Sequence, residues 1–529
     1  MMTLFFKCSR YIGLLSALIL LISGCGGGGS DSPDPDPDLP QWLHPKTIND
    51  RINPVNINQL ASMGDVAISD NGDMVIVWKH SNYPTDPTVT SRVYMSEFRN
   101  GSWNHPASIN DAISPNNYSV ESLPRVAIDS TGNTVVVWSQ KVRANSFACN
   151  NSNCTQIFIS EYRNKNWNHP SDINDYIDPY GNGSYDPEVV MSDNGDTVIA
   201  WHGTNTTIDM MIFMSEYRNG NWTHPATRAD FISPAGDHAY NPKLAMDDSG
   251  NTIIIWKQSD NTLNCASNTS SCEQLYMSEY RTNSWSHPSD LTTPVSFSSQ
   301  YRLQFQPFGM DVAMDNNAEA IVTWQVVAGS SRAVYKSEYR SGTWTYPLSP
   351  SDAISDSSIS AWDPQVVMSD NGDAVISWIQ DDNTADCSGS SCKQLFISEY
   401  RNNSWSLPAD LNDNISPDGS SVYAGYYLGL GPLWTDRLYS LAMSDNGDSV
   451  ISWSQPGISV GCTDATSLVC MELFIAEYRG NTWTKPTSLS DFISLGGETT
   501  WYPRATMNNF GDTIIGYQQD ANLFVSVYK

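Results

Sequence analysis

Residues 185–201 read Y-D-P-E-V-V-M-S-D-N-G-D-T-V-I-A-W, and residues 211–225 read M-I-F-M-S-E-Y-R-N-G-N-W-T-H-P. The two segments form a block that recurs at intervals of roughly 60 residues, as in propellers, solenoids and domain arrays. The first segment ends in Trp201 or in its counterparts Trp78, Trp138, Trp256, Trp324, Trp378, Trp453 and Tyr517. The second, S-E-[YF]-R-x-x-x-W, with Ala476 in place of Ser in the seventh copy, ends in Trp222 or in Trp103, Trp167, Trp285, Trp344, Trp405 and Trp483.

The two ends of the repeat array favour a closed ring. The last copy stops at residues 526–529, S-V-Y-K, where S-E-Y-R should lead into a strand of the form W-x-x-P. That strand stands near the amino terminus instead, as Trp42-Leu43-His44-Pro45. A propeller closes in this way, whereas a linear array has no reason to divide one repeat between its ends. We therefore predict an all-β fold, a single eight-bladed β-propeller over residues 41–529, whose N-terminal strand completes the last blade.

Each repeat contains four strand-like segments, called strands A to D below. In the third repeat we predict strand A at 188–192, B at 197–201, C at 211–218 and D from 222 to about 226. Strands A and B are apolar on both faces, as expected when a neighbouring blade covers each side. The A to B connection, Asp193-Asn194-Gly195-Asp196, has the composition of a tight turn. The recurrent Glu and Arg of S-E-Y-R share a strand face and are interpreted as structural, since a catalytic carboxylate is needed only once.

Residues 1–24 are predicted to be a lipoprotein signal peptide. Lys7 and Arg10 precede an apolar run over 11–22 that is short for a membrane span. Ile22-Ser23-Gly24-Cys25 resembles the lipobox of bacterial lipoproteins, and this implies that Cys25 carries lipid, palmitate included, as the first mature residue. The Gly, Pro and Asp residues of 25–40 then form a tether. A secretory signal with a chance cysteine is the alternative.

The lipobox resemblance also implies a location. The chain is expected in the cell envelope, periplasmic or surface-exposed, and at the outer membrane of a two-membrane cell because Gly26 follows the cysteine. Without the signal the chain carries 26 basic and 57 acidic residues, a formal net charge of −31. Such a surface repels nucleic acid and anionic membrane. We expect a monomer that touches the membrane only through its lipid and that has a glycan or protein partner.

Eight of the ten cysteines form close pairs in the B to C connections. Local pairs in an exported protein predict hairpin disulfides. The pairs are Cys149 with Cys154, Cys265 with Cys272, Cys387 with Cys392, and Cys462 with Cys470. Zinc is the alternative, which we disfavour because the pairs lie on different blades with no Cys or His pair beside them. No metal ion or other cofactor is predicted.

The long, irregular connections fall on one side of the predicted disc. In an up-and-down blade the A to B and C to D turns share one face, called the turn face, and the B to C and D to A connections share the other, called the loop face. Functional residues concentrate on loops held by a rigid scaffold, so we place the site on the loop face. Aromatic side chains and one arginine collect there, at the channel mouth or in the longest connection. The predicted ligand-binding residues are Tyr185, Tyr240, Phe308, Trp362, Trp434, Arg437 and Trp501.

The sequence leaves several functions open. Aromatic rings at the mouth suit sugars or an extended peptide, which stack on them; alternatively the rings fill the channel or pack under their own loops. A non-catalytic binding protein is preferred because no nonrepeating catalytic set is found, and catalytic residues are unknown. A glycoside hydrolase or lyase is the second hypothesis, with Asp186, Asp363 and Asp436 as candidate acids.

An envelope-assembly scaffold is the third hypothesis. Ring size and anchor resemble the eight-bladed lipoprotein of the outer-membrane β-barrel assembly machine, but its repeat signature, A-x-D-x-x-T-G-x-x-x-W, is missing here. Residues 41–529 are similar to the broad group of bacterial lipoproteins and repeat proteins with G-[ND]-x-x-x-x-W blades. Likeness to the sialidase box S-x-D-x-G-x-x-W is remote. These resemblances imply a propeller and leave the activity open.

Overall fold

The part of the chain described by the computed structural model has gaps. It comprises residues 40–54, 59–82, 91–116, 118–142, 154–179, 183–207, 209–236, 238–260, 272–296, 309–328, 331–383, 392–422, 439–458 and 470–529. Residues Gln41–Lys529 form one compact unit. Within these ranges, none of the helices has the length and apolar character needed to cross a membrane. The predicted signal peptide, the lipid-modified Cys25 and most of the tether lie outside the described residues and stay predictions.

The strands form eight antiparallel sheets of four strands each. Those up to the fourth blade are β1 (Trp42–Leu43), β2 (Gln59–Ile68), β3 (Met74–Asn82), β4 (Arg92–Arg99), β5 (Ser102–Asn104), β6 (Arg125–Ile128), β7 (Thr134–Val142), β8 (Cys154–Arg163), β9 (Asn166–Asn168), β10 (Ser184–Met191), β11 (Thr197–Thr204), β12 (Met210–Arg218), β13 (Asn221–Thr223), β14 (Ala239–Met246), β15 (Thr252–Asp260), β16 (Cys272–Arg281) and β17 (Ser284–Ser286).

The remaining strands form blades 5 to 7 and, together with β1, blade 8. They are β18 (Met310–Met314), β19 (Ala320–Ala328), β20 (Ser331–Arg340), β21 (Thr343–Thr345), β22 (Ala361–Met368), β23 (Ala374–Asp382), β24 (Cys392–Arg401), β25 (Ser404–Ser406), β26 (Tyr439–Met443), β27 (Ser449–Pro456), β28 (Met471–Arg479), β29 (Thr482–Thr484), β30 (Thr500–Met507), β31 (Thr513–Gln519) and β32 (Asn522–Tyr528). The described helices are single 3-10 turns at Ile48–Asp50, Pro350–Asp352 and Leu411–Asp413.

The blades close into a ring. Strand A of each blade contacts strand A of both neighbours, and β30 of blade 8 contacts β2 of blade 1. Blade 8 consists of β30, β31, β32 and the N-terminal β1. Trp42 pairs with Tyr528, and the Gln41 amide donates to the carbonyl of Lys529 at 2.9 Å. The predicted eight-bladed propeller and its closure by the N-terminal strand are confirmed.

The hydrophobic core lies between the blades. Each strand B contains a fully buried aromatic ring that stacks on strand C, as Trp201 does on Phe213 with ring centroids 6.1 Å apart. Val198 of blade 3 packs with Ile254 and Trp256 of blade 4. Burial of both sheet faces explains why strands A and B read as continuous apolar runs.

The Glu and Arg side chains of the S-E-Y-R motif link each blade to the next. Arg218 binds Glu216 on its own strand at 2.9 Å and lies 3.8 Å above the ring of Tyr280 in the next blade. Its guanidinium also donates to the carbonyl of Gly250, at 3.1 Å. Glu216 accepts a hydrogen bond from the indole of Trp285, at 2.9 Å. These charge-assisted and cation–π contacts confirm the structural interpretation of the motif.

Several strand boundaries of blade 3 differ from the prediction, and strand B, β11, runs to Thr204 rather than ending at Trp201. Strand A of blade 3, β10, begins at Ser184, so Tyr185 lies inside the strand, and a bulge follows between Tyr185 and Glu188. Strand D, β13, ends at Thr223 because Pro225 follows and lacks the N–H needed to continue the ladder.

Candidate functional site

The channel centre carries a belt of polar residues. They occupy one equivalent position of strand A and are Asp65, Arg125, Glu188, Lys243, Asp311, Gln365, Ser440 and Arg504. Arg125 and Lys243 both bind Glu188, the former at 3.3 Å. Asp65 accepts the amide of Val126 at 3.2 Å, and burial raises the pKa of this carboxyl group against the opposing effect of Arg125. Because belt residues bind the neighbouring blades, we assign the belt to ring closure.

Four predicted aromatic residues lie above this belt, toward the loop face. All four are half-buried, and each lies in the first two paired residues of a strand A. They are Tyr185, Tyr240, Trp362 and Trp501. A register shift follows each of them. The other predicted binding residues, Phe308, Trp434 and Arg437, lie outside the described residues and stay predictions, as does the candidate acid Asp436.

A left-handed backbone residue follows each of these rings. The residues are Asp186 (φ 48°), Asn241 (φ 53°), Asp363 (φ 50°) and Tyr502 (φ 51°). Blades 1 and 2 have Ser62 and Ser122 in the equivalent position, and neither serine is followed by a positive φ. The left-handed region is unfavourable for residues other than glycine, and such strain collects at functional sites. The strain therefore accompanies the aromatic rings and is not a requirement of the blade.

Two of the rings belong to a cluster between blades 3 and 4, called the ring cluster below: Tyr185, His202, Tyr240 and His238. The His202 ring centroid lies 5.8 Å from that of Tyr185 and 5.7 Å from that of Tyr240. His238 lies 5.7 Å from Tyr240, and its Nδ1 accepts the amide of Met210 at 3.0 Å. From the sequence, neither histidine was assigned to the site. The available signal was that His202 directly follows the buried Trp201.

Burial favours the uncharged form of His202. Its side chain is 8% exposed, and burial lowers its pKa, with the carboxylate of Asp186 acting in the opposite direction. Asp186 Oδ2 lies 4.0 Å from His202 Nδ1, and the Asp186 side chain is 35% exposed. The cluster thus joins an imidazole, an acidic group and aromatic faces at the mouth.

Trp362 has a different environment. The ammonium of Lys393 lies 4.1 Å from its ring centroid and the guanidinium of Arg332 lies 5.7 Å away. Lys393 also binds Asp381, at 2.7 Å. Trp362 packs in part against a hydrophobic cluster of blades 6 and 7. Part of this ring therefore serves packing, and a ligand would use its remaining exposed portion.

The cysteine predictions can be followed in part. Cys154, Cys392 and Cys470 are each disulfide-bonded. Their predicted partners, Cys149, Cys387 and Cys462, lie outside the described residues, as does Cys265, so the pairing stays a prediction. In the described ranges, groups of three or more His, Cys, Asp or Glu placed to hold a metal ion are not found.

The turn face has a cavity of about 310 Å³ at the other end of the channel. Its lining combines apolar residues such as Val66, Val126 and Met191 with the acidic Asp70 and Asp193, and its exposed surface is mainly polar. The two aspartates belong to the uniform A to B turns. The cavity therefore lies opposite the irregular loop face.

Fold and site define an eight-bladed β-propeller with aromatic rings at one channel mouth. No family model matches the chain, and no curated protein matches it. Among solved structures it is similar to a protein of unknown function from Dyadobacter fermentans, at 11% identity over 78% of this chain and 95% of that chain, with a TM-score of 0.37.

Two further solved structures are enzymes. An ulvan lyase of polysaccharide lyase family PL25, bound to -[GlcA(1-4)Rha3S]-, is 10% identical over 75% of this chain and 90% of its own, with a TM-score of 0.39. A sialidase from Trypanosoma rangeli is 12% identical over 74% of this chain and 59% of its own, with a TM-score of 0.34. Likeness at these identities concerns the propeller fold alone.

Proposed function

We propose that the protein binds glycans at its loop face, through Tyr185, Tyr240, Trp362 and Trp501. The observation that carries this proposal is the left-handed residue behind each of these rings, where the serine-bearing blades have none. Strain of this kind persists where the surrounding structure uses it. It holds half-buried rings at a channel mouth, and sugar rings stack on such aromatic faces with roughly 1 kcal/mol per contact beyond area burial.

We further propose that the propeller acts as a lipid-anchored envelope protein. The lipobox-like residues 22–25 and the Gly, Pro and Asp tract up to residue 40 support this. Transfer of the protein from the membrane to the soluble fraction on Cys25→Ser substitution is the expected result, and unchanged fractionation would contradict it.

A glycan array with the purified full-length protein tests the binding proposal. Trp362→Ala and Trp501→Ala should each lower the affinity for the bound glycan by about tenfold, because each removes an aromatic contact of roughly 1–2 kcal/mol including its buried area. Phe510→Ala is the matched control: this ring is 73% exposed and stands in an A to B turn of the opposite face. Equal affinities of wild type and both tryptophan variants would remove the site.

Catalysis on the same face is the second candidate function. The observation in its favour is Asp186 beside His202, at 4.0 Å, since a carboxylate and an imidazole are common acid–base groups. New reducing ends or unsaturated products from a bound glycan would favour an enzyme. Binding without product would favour the binding protein.

A further inference from the structure

The ring cluster contains a buried hydrogen-bonding atom whose partner is not supplied by the described residues. His202 Nδ1 makes no hydrogen bond there, and the residue is 7% exposed. A buried polar atom left without a partner is unfavourable by roughly 1–3 kcal/mol. Structural packing alone would be served better by an apolar residue, so the imidazole nitrogen requires another explanation.

Equivalent positions in other blades show where this side chain is directed. Gln325 follows the buried Trp of blade 5, and its Oε1 accepts the amide of Asp363 in blade 6 at 3.0 Å. Lys79 follows that of blade 1, and its ammonium donates to the carbonyl of Glu121 in blade 2 at 3.4 Å. Both reach the entry of the next strand A. His202 reaches the same place and contacts the Tyr240 ring.

Asp186 supplies a second hydrogen-bonding group beside His202 Nδ1. The 4.0 Å between its Oδ2 and His202 Nδ1 is too long for a direct hydrogen bond. It is short enough for one oxygen atom to bond both groups at about 2.8 Å each. A hydroxyl group both accepts and donates hydrogen bonds, so it satisfies an imidazole N–H and a carboxylate together. The Asp186 side chain is 35% exposed and therefore accessible to a ligand.

We propose that the ring cluster is a sugar subsite that binds one hydroxyl group between His202 Nδ1 and the Asp186 carboxylate, with the sugar ring against Tyr185 or Tyr240. This inference rests on the proposed glycan binding and names its ligand class. The bound unit is an uncharged sugar, because the Asp186 carboxylate repels a carboxylate or sulfate at the same position.

Asp186→Asn tests the hydroxyl contact with little disturbance of the fold, since Asn241 occupies the equivalent left-handed position of blade 4. The probes are uncharged hexasaccharides of xylose, mannose and N-acetylglucosamine, with oligogalacturonate and oligomannuronate as anionic counterparts. We expect wild type to prefer an uncharged probe and Asp186→Asn to bind it about tenfold or more weakly, as for loss of a charge-assisted hydrogen bond. Asp172→Asn, the same change at an exposed aspartate in the connection after β9 and outside the ring cluster, is the control and should leave the affinity unchanged.

A second readout separates the hydroxyl contact from general damage. Monodeoxy analogues of the preferred probe should include one that binds wild type and Asp186→Asn equally, because the hydroxyl that distinguishes them is gone. His202→Gln should weaken the parent probe and leave that analogue unaffected.

The outcomes distinguish the two proposals. If wild type binds no probe, glycan binding itself fails. If Trp501→Ala weakens binding but Asp186→Asn does not, glycan binding stands and the subsite is overturned. Preference for the anionic probes, or tighter binding of them by wild type than by Asp186→Asn, would also overturn the subsite.

Discussion

Left-handed backbone occurs in the A to B turns, in the C to D turns, where it includes Asn100, Lys165 and Thr282, and at the entries of several A strands. In the A to B turns it falls mostly on glycine, as at Gly195 (φ 84°). At the strand entries it falls on Asp, Asn and Tyr, including the bulky Tyr502. Glycine adopts this conformation without steric cost, so its use in the turns is the low-energy solution. At the entries, unlike in the turns, the left-handed residue lies inside a strand and follows an aromatic ring, which links this conformation to the placement of the ring.

Ala318 allows the cost of left-handed backbone to be measured at a position outside the proposed site. It occupies the A to B turn of blade 5 with φ 59°, where other blades have glycine, and its amide donates to Asp315 at 3.0 Å. Ala318→Gly should raise the free energy of unfolding by about 1 kcal/mol, because the left-handed region is unfavourable for a residue with a Cβ. Urea denaturation measures this.

The reverse substitution in blade 6 is the matched control. Gly372 has φ 84°, and an added Cβ would lie 3.4 Å from Asp315 Oδ2, an ordinary contact. Gly372→Ala should therefore lower the free energy of unfolding by about 1–2 kcal/mol through backbone strain alone. Stability changes of the same sign in both variants would contradict the argument.

At the level of elements, the repeat made the strands predictable and left the site partly hidden. β1 and the A to B turns could be predicted because the same letters recur in register in each copy. The bulge after Tyr185 could not be predicted. The extra residue shifts the pairing of strand A with strand B but leaves the spacing of the sequence repeat unchanged. This shift pairs Tyr185 with His202 and brings Tyr240 of the next blade against the same imidazole. The aromatic positions were thus accessible from sequence, whereas the histidine between them was not.

The ring-closing strand is expected to behave as an internal one. Trp42 donates to Glu477 at 2.9 Å and contacts the Tyr528 ring, and Trp222 makes the same contacts with Glu161 and Tyr217 inside the chain. Trp42→Ala and Trp222→Ala should therefore each lower the free energy of unfolding by about 2–3 kcal/mol, through lost burial and one lost hydrogen bond. Chemical denaturation of the two variants checks this. A negligible effect at Trp42 alone would mean that β1 does not complete blade 8 in solution.

Across the whole molecule, the A to B turns join neighbouring blades on the turn face. Four of these contacts together use one residue from each turn: Asn509 to Asp70, Ser130 to Asp193, Asp248 to Asn316, and Asp370 to Asp445. In the first three pairs an amide donates to a side-chain oxygen. In the last, two carboxyl groups meet and only a shared proton can join them. Burial, and then Asp370, raises the pKa of Asp445 to about 8.

This pair makes the stability of the propeller depend on pH. With a folded pKa of about 8 and an ordinary value near 3.8, the folded state keeps a proton that the unfolded state has released. Stability should therefore fall as pH rises through this window. Asp445→Asn supplies the missing amide donor. It should raise the free energy of unfolding by about 1–2 kcal/mol at pH 8.5, below the full linkage value because the side chain is partly screened by solvent, and have a smaller effect near pH 5.

Urea midpoints of wild type and Asp445→Asn at both pH values measure the difference. The exposed Asp172→Asn serves as the control for loss of one negative charge from an acidic protein and should change stability little at either pH. Added salt should narrow the gap at pH 8.5, since it screens the repulsion between the two carboxylates. A variant no more stable than wild type at pH 8.5 would show that Asp370 and Asp445 do not share a proton across blades 6 and 7.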